Sequence, residues 1–197
     1  EIKDMLEDKI AELNGRSGLH IQLITHESKA FDSPMAHYGK FSGVTDYIAM
    51  IGKKDADLEE KCGYYGEKLV LLAQQLGLNT CWVAMTYSRI KTAYKLDAGE
   101  KLCIVIAIGY GKTQGVPHKS KAPSEVADMG DVPEWFKKGV EAALLAPTAV
   151  NQQKFFFAIA DGKVSAKAGR GFYSRIDLGI AKCHFELGAG KKNFNWA

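Results

Sequence analysis

The chain has 197 residues, 46% of them hydrophobic and 25% charged, with a net charge of +3 mixed along its length. That describes a single ordinary globular domain, 1–197, able to bury roughly 70% of its unfolded surface without staples. It excludes a nucleic-acid footprint, because no basic stripe with interleaved aromatics is present, and no run of 18 apolar residues or signal peptide marks a membrane or export route.

The first residues, Glu-Ile-Lys-Asp-Met-Leu, are already in a helical pattern without an initiator Met. They are expected to continue from an upstream segment. An amphipathic helix is predicted over 2–13, ended by Asn14-Gly15. "LHIQLITH" (19–26) alternates as a strand with one wet face. Residues 28–45, rich in Gly, Ser and Lys, read as a loop, and "DYIAMIG" (46–52) as a buried strand. Leu58, Cys62, Tyr65, Leu69, Leu72 and Leu76 form one helical stripe. Gly63 and Gly66 lie inside that helix, each costing up to about 1 kcal/mol against Ala. Their presence points to close approach of another backbone or a ligand. "TCWVAM" (80–85) reads as a short buried segment, "SRIKTAYKL" (88–96) as a small helix, and "KLCIVIAIGYG" (101–111) as a strand buried on both faces. A polar loop over 112–131 leads to a helix over 132–146. A hairpin around Asp161-Gly162 (154–169) and a last helix (177–190) follow. Strands and helices alternate irregularly, so the class is α+β, or α/β with a mixed sheet.

Most chemical motifs fail on spacing. Gly111-Lys112-Thr113 follows a strand, but a phosphate loop needs Gly where Ile106 stands. The five histidines form no metal or triad spacing, and His184 reads as a packed helix residue. Cys62, Cys81, Cys103 and Cys183 form neither CxxC nor a Cys/His cluster, so no zinc site or disulfide framework is indicated and a reduced cytoplasm is expected. Three stretches stay open. "HKSK" (118–121) puts Lys119 and Lys121 on alternate positions, as a phosphate clamp or as a solvated loop. "GLNTCWVAM" (77–85) is core or a wall for an aromatic ring system. "LLAPTAVNQQKFFFAI" (144–159) sets three amides between two apolar elements, as a capped turn or as a cradle for a polar planar ligand.

Taken together, "GYYGEKLVLLAQQLGLNTCWVAM", "IVIAIGYG", "HKSKAPSEV" and "APTAVNQQKF" resemble the FMN-dependent nitroreductase family, and "YSRIDLGIAKCHFELGAG" is similar to its putative-nitroreductase subgroup. The similarity covers most of residues 46–190. It departs from the family in three places. The Ala-Pro-Thr…Asn motif comes late in the chain, the family's Arg-rich phosphate-binding start is absent, and Lys154-Phe155 replaces Pro-Trp.

The resemblance implies a three-layer α/β/α fold with a central mixed, mainly antiparallel sheet, acting as a homodimer. It implies FMN held by Asn151 and Gln153 at the ring edge and ribityl chain, with Val150 beside them in the cofactor site, by Trp82, Val83, Ala84 and Met85 along the ring, and by Lys119 and Lys121 at the phosphate. No protein acid or base is implied as catalyst and no metal. The implied activity is ping-pong hydride transfer from NAD(P)H through the flavin to a nitroaromatic or quinone-like acceptor. An FMN carrier or sensor without turnover, and a dimeric module without flavin, are the rival implications.

Overall fold

The first helix runs past its Asn14-Gly15 signal. In the computed structural model, which describes residues 1–197, α1 spans Ile2–Ser17 and ends at Gly18, whose φ of 69° is the left-handed cap. Asn14 stays helical because its amide is used elsewhere: Oδ1 accepts from Ile21 N at 2.8 Å and Nδ2 donates to Ile21 O at 3.0 Å.

The chain forms two compact units that interleave in sequence, Glu1–Leu58 with Lys68–Gly115 and Glu59–Glu67 with Val116–Ala197. The first holds β1 (Gln22–Ile24), a short helix α2 (Pro34–Tyr38), β2 (Asp46–Lys53), the C-terminal half of α3 (Leu58–Gln75), β3 (Asn79–Val83) and β4 (Glu100–Gly109). Its sheet is antiparallel throughout, in the order β1-β2-β4-β3. β2 and β4 are the apolar centre, paired Ile48 to Ile106 and Ala49 to Val105. Tyr47, Ala49, Val105 and Ala107 fall on one face and pack with Phe31 and Tyr87 from the loops.

Two expectations are corrected here. Residues 88–96 form turns, not a helix. Ser88 N donates to Ala30 O, and Lys95 exchanges hydrogen bonds with the Gln22 amide, so this backbone is committed to tertiary partners. Residues 80–85 are not a buried segment: β3 is an edge strand, and Cys81 and Met85 are exposed on it and just beyond it. No helix is long and apolar enough to cross a membrane.

The second unit contains α4 (Pro123–Val126), α5 (Glu134–Ala143), β5 (Phe155–Ala160), β6 (Lys163–Ala168), α6 (Ser174–Ala189), β7 (Asn195–Trp196) and Glu59–Glu67 of α3. The hairpin turns at Asp161 and Gly162, both at positive φ, and the sequence reading missed β7, which pairs parallel to β6. The class is therefore α+β, with a wholly antiparallel sheet in the first unit and a mixed one in the second. Phe136, Phe157, Phe185, Phe194 and Trp196 pack into one aromatic core, with Phe157 stacked on Phe185 and Phe136 and Phe194 edge-on to it. Burial pushes the Glu186 carboxyl up, but hydrogen bonds from Lys191, Tyr64 and Trp196 outweigh it and hold the group below its usual range.

α6 crosses α3 at backbone contact. A Cβ on Gly179 would land on the Glu60 carbonyl oxygen, and one on Gly63 on the Ile176 carbonyl oxygen. That is the close approach expected at Gly63. Gly179→Ala should therefore lower stability by about 1–3 kcal/mol in urea unfolding. Gly15→Ala, where a new Cβ meets nothing within 4 Å, should raise it by about 0.5–1 kcal/mol. Equal responses would refute the contact.

Candidate functional site

The site begins where α5 runs out. Leu145 and Ala146 tighten into 3-10-type bonds to Ala142 O and Ala143 O, and Pro147, with no N–H, stops the helix. Thr148 is extended, and its two oxygens close the next turn: the carbonyl accepts from Asn151 N at 3.0 Å and Oγ1 from Gln153 N at 3.1 Å. Within that turn Val150, Asn151 and Gln153 have φ of 47°, 53° and 45°. Asn tolerates this conformation, whereas a β-branched Val in it is a true outlier costing about 1–2 kcal/mol. Val150 is also 94% exposed, so its own side chain gains little by standing there. Three left-handed residues in four mark a segment whose shape the surroundings impose.

Two sets of hydrogen bonds impose it. From one side comes the expected lysine segment. The Lys119 carbonyl oxygen accepts from Asn151 Nδ2 at 2.9 Å and from Gln153 Nε2 at 2.9 Å. Gln153 Oε1 accepts from Lys121 N at 2.9 Å, Lys121 Nζ donates to Gln153 O at 3.2 Å, and Ser120 Oγ donates to Leu144 O at 3.0 Å. From the other side comes Asp177, in the first turn of α6 and 3% exposed. Its Oδ1 accepts from Ala149 N at 3.0 Å and its Oδ2 from Gln152 Nε2 at 2.7 Å. Gln152 Nε2 also donates to Phe172 O at 2.7 Å.

The structure thus gathers Lys119, Lys121, Val150, Asn151 and Gln153 into one cluster of the second unit. Their amides have different jobs. Gln153 is 3% exposed, and its oxygen and both N–H groups have partners inside the cluster, including Asn151 Oδ1 at 2.8 Å. It holds the turn from beneath. Asn151 is exposed and keeps one N–H and one carbonyl lone pair unspent. Lys119, whose carbonyl Asn151 grips, is itself exposed. The turn is capped by Gln152 and Gln153, and Asn151 is the amide it presents to solvent.

Trp82, Val83, Ala84 and Met85 belong to the first unit, at the end of edge strand β3. Val83 is buried in that unit's core, Trp82 and Ala84 are half-buried, and Met85 is 66% exposed. The sequence reading gave no part to Thr148 or Asp177, counted Gln152 among the three amides without a role of its own, and named His118 only as one of five scattered histidines. Asp177 lies in a helix pattern where an acid in the first turn looks like an ordinary dipole partner. His118 Nδ1 lies 3.3 Å from the Lys119 carbonyl, which only accepts, so Nδ1 carries the proton there and the buried Nε2 is left without a partner.

Elsewhere, ligand atoms of His20, Asp97 and Glu100 lie within 4.8 Å of one another. Glu100 Oε2 already accepts from Asp97 N and contacts His20 Nδ1, each at 2.8 Å, which accounts for the group as a knot at the start of β4. His184 contacts Glu67 at 2.8 Å within the second unit, as a packed helix residue does.

The family model described as "Putative TM nitroreductase" matches residues 1–189. Among solved structures, the chain is similar to a putative nitroreductase from Thermotoga maritima MSB8, with 23% identity and a TM-score of 0.63 over 88% of this chain and 67% of that one. That likeness is one of fold. It is also similar to an FMN-dependent nitroreductase from Clostridium difficile R20291, with 18% identity and a TM-score of 0.42 over 62% of this chain and 82% of that one. A third is a putative NADH dehydrogenase/NAD(P)H nitroreductase from Parabacteroides distasonis ATCC 8503, with 19% identity and a TM-score of 0.46 over 62% and 85%. No curated protein matches the chain significantly.

The strain in the turn is measurable. Val150→Gly removes a Cβ that the left-handed backbone resists, and should raise stability by about 1 kcal/mol in thermal unfolding. A fall in stability would mean that the Val150 side chain contributes packing despite its exposure.

Proposed function

This chain belongs to the nitroreductase family, and on that premise we propose that it is an FMN-dependent oxidoreductase that passes electrons from NAD(P)H to nitroaromatic or quinone-like acceptors. The observation that carries the reading is the single cluster that joins Lys119 and Lys121 to Val150, Asn151 and Gln153, more than 25 residues away in sequence. Its donor set fits the group. FMN is a phosphate monoester on a planar ring whose pyrimidine edge alternates carbonyls and an N–H. The cluster offers two ammonium groups and an exposed amide with one donor and one acceptor unspent.

In this reading FMN, when bound, supplies the hydride chemistry, and the protein supplies position and electrostatics. Lys119 and Lys121 hold the phosphate as point charges, without the planar fork an Arg would give. Asn151 pairs with the pyrimidine edge through its spare N–H and lone pair. Val150 offers its exposed methyl groups to the ring, which gives the strained conformation a purpose. Gln153 does not touch the group; it fixes the spacing between Asn151 and the lysine segment. The positive charge of the pair also favours negative charge accumulating on the bound group. The proposal includes a homodimer working in the cytoplasm, where NAD(P)H is available.

The test is an anaerobic absorption spectrum of the protein with FMN, before and after NADPH or NADH. Bound flavin bands that bleach with either donor are expected. Lys119→Ala with Lys121→Ala should weaken FMN by about a hundredfold or more, since each charge-assisted hydrogen bond contributes about 1.5–3 kcal/mol. The double variant should also flatten the salt dependence of binding. Bands that resist both donors would leave a flavin carrier. A wild-type protein that binds no FMN would end the flavin reading.

A further inference from the structure

The geometry points to Asp177 as the positioning residue of this site: its buried carboxylate holds the left-handed 150–153 turn in the conformation that presents Asn151, so ligand affinity depends on a group that does not touch the ligand. This rests on the flavin reading of the cluster.

Asp177 is one of few buried acids in the protein, and no ion pair accompanies it. Both its oxygens are spent on one object. Oδ1 takes the Ala149 N–H at the start of the turn, and Oδ2 takes the Gln152 side chain between the two outermost left-handed residues. Gln152 then fastens the Phe172 carbonyl, tying the turn to the approach of α6. The turn itself is composed of residues that do not gain from its shape, Val150 above all. An acceptor at the base of the turn is what keeps it there.

The same carboxylate makes loading depend on pH. Burial raises the Asp177 carboxyl above the usual carboxylate range, with the Ala149 and Gln152 hydrogen bonds pulling it back down. No residue of the turn titrates. From α3 the backbone of Glu60 and Tyr64 lies against the neighbouring Gly179, and their side chains are committed to Lys182 and Glu186. On its own helix the nearest charge is the exposed Arg175. When pH falls through the Asp177 range, one oxygen becomes O–H and stops accepting from the turn, so affinity drops. The effect on stability has the opposite sign. A carboxyl raised in the folded state binds its proton more readily folded than unfolded, so its contribution to stability is present at low pH and lost as pH rises through its folded pKa. Loss of ligand without loss of fold separates positioning from scaffolding.

The experiment titrates FMN into wild-type protein and Asp177→Asn from about pH 8 to about pH 5, with thermal melting of each ligand-free protein alongside. The FMN phosphate has its own ionisation near about pH 6, which acts in both proteins, so the difference between the two profiles isolates Asp177. Asp177→Asn should bind FMN about tenfold more weakly at neutral pH, and the gap should close on acidification. Equal affinity and equal profiles would overturn the proposal. If Asp177→Asn does not fold, Gln152→Met removes the Oδ2 contact from a half-buried position, and unchanged FMN affinity there overturns it equally. If wild-type protein binds no FMN, the flavin reading fails. Amide exchange across residues 148–153 of the ligand-free Asp177→Asn protein then decides the rest: faster exchange supports the hold on the turn, and unchanged exchange overturns it.

Discussion

Three residues of the turn after Pro147 stand in left-handed backbone conformation, and only one of them is a residue type that enters it readily. Such a segment exists because hydrogen bonds from two directions over-determine it. On one side is the carbonyl of Lys119, shared by the amides of Asn151 and Gln153. On the other is the carboxylate of Asp177. Removing either would leave a buried polar group unmatched, a cost of about 1–3 kcal/mol, comparable with the strain it restrains. Conformation and partners therefore stand or fall together.

The constraint extends into the second unit's helices. Asp177 can reach the turn because the first turn of α6 is fixed in place. α6 is fixed because Gly179 and Gly63 let it lie on the backbone of α3. Its other end is held by the Glu186 network with Tyr64, Lys191 and Trp196. A helix crossing that needs missing side chains thus sets the position of a carboxylate. That carboxylate sets a turn, and the turn sets which amide faces solvent. The two lysines of the cluster, Lys119 and Lys121, are organised through their backbone. The carbonyl of one and the N–H of the other are what the Gln153 side chain grips.

In the first unit the governing pattern is simpler. β2 and β4 are apolar at every position that matters, and they form the centre of an antiparallel sheet whose edges are β1 and β3. The loops between residues 28 and 45 and between 84 and 97 close one face through Phe31, Phe41 and Tyr87. The 84–97 loop is held by distant partners such as the Gln22 amide and carries no regular structure of its own, whereas the 28–45 loop contains the short helix α2.

The sequence by itself determined the elements whose signal is local. The stripe from Leu58 to Leu76, the apolar run of 101–111 and the Asp161-Gly162 hairpin each carry a period or a turn pair within one window, and each folds as that pattern dictates. Family membership was legible too, because four short motifs in one chain are specific together although none is alone. The tertiary structure decided where signals compete. Asn14-Gly15 has the chemistry of a helix end, but Asn14 found a partner seven residues on and the helix continued to Gly18. The segment 88–96 has helical spacing, but its ends were taken by tertiary partners, Ser88 N by Ala30 O and the Lys95 backbone by the Gln22 amide. At the site the sequence gathered the amides and the lysines without ranking them. Whether an amide is presented or consumed depends on what stands within about 3 Å of it, and that neighbour is some 30 residues distant in the chain for Lys119 and about 25 for Asp177. Local pattern carries no information about contacts made by loop closure at that range, so the division of labour between Asn151 and Gln153, and the part of Asp177 beneath them, belonged to the fold alone.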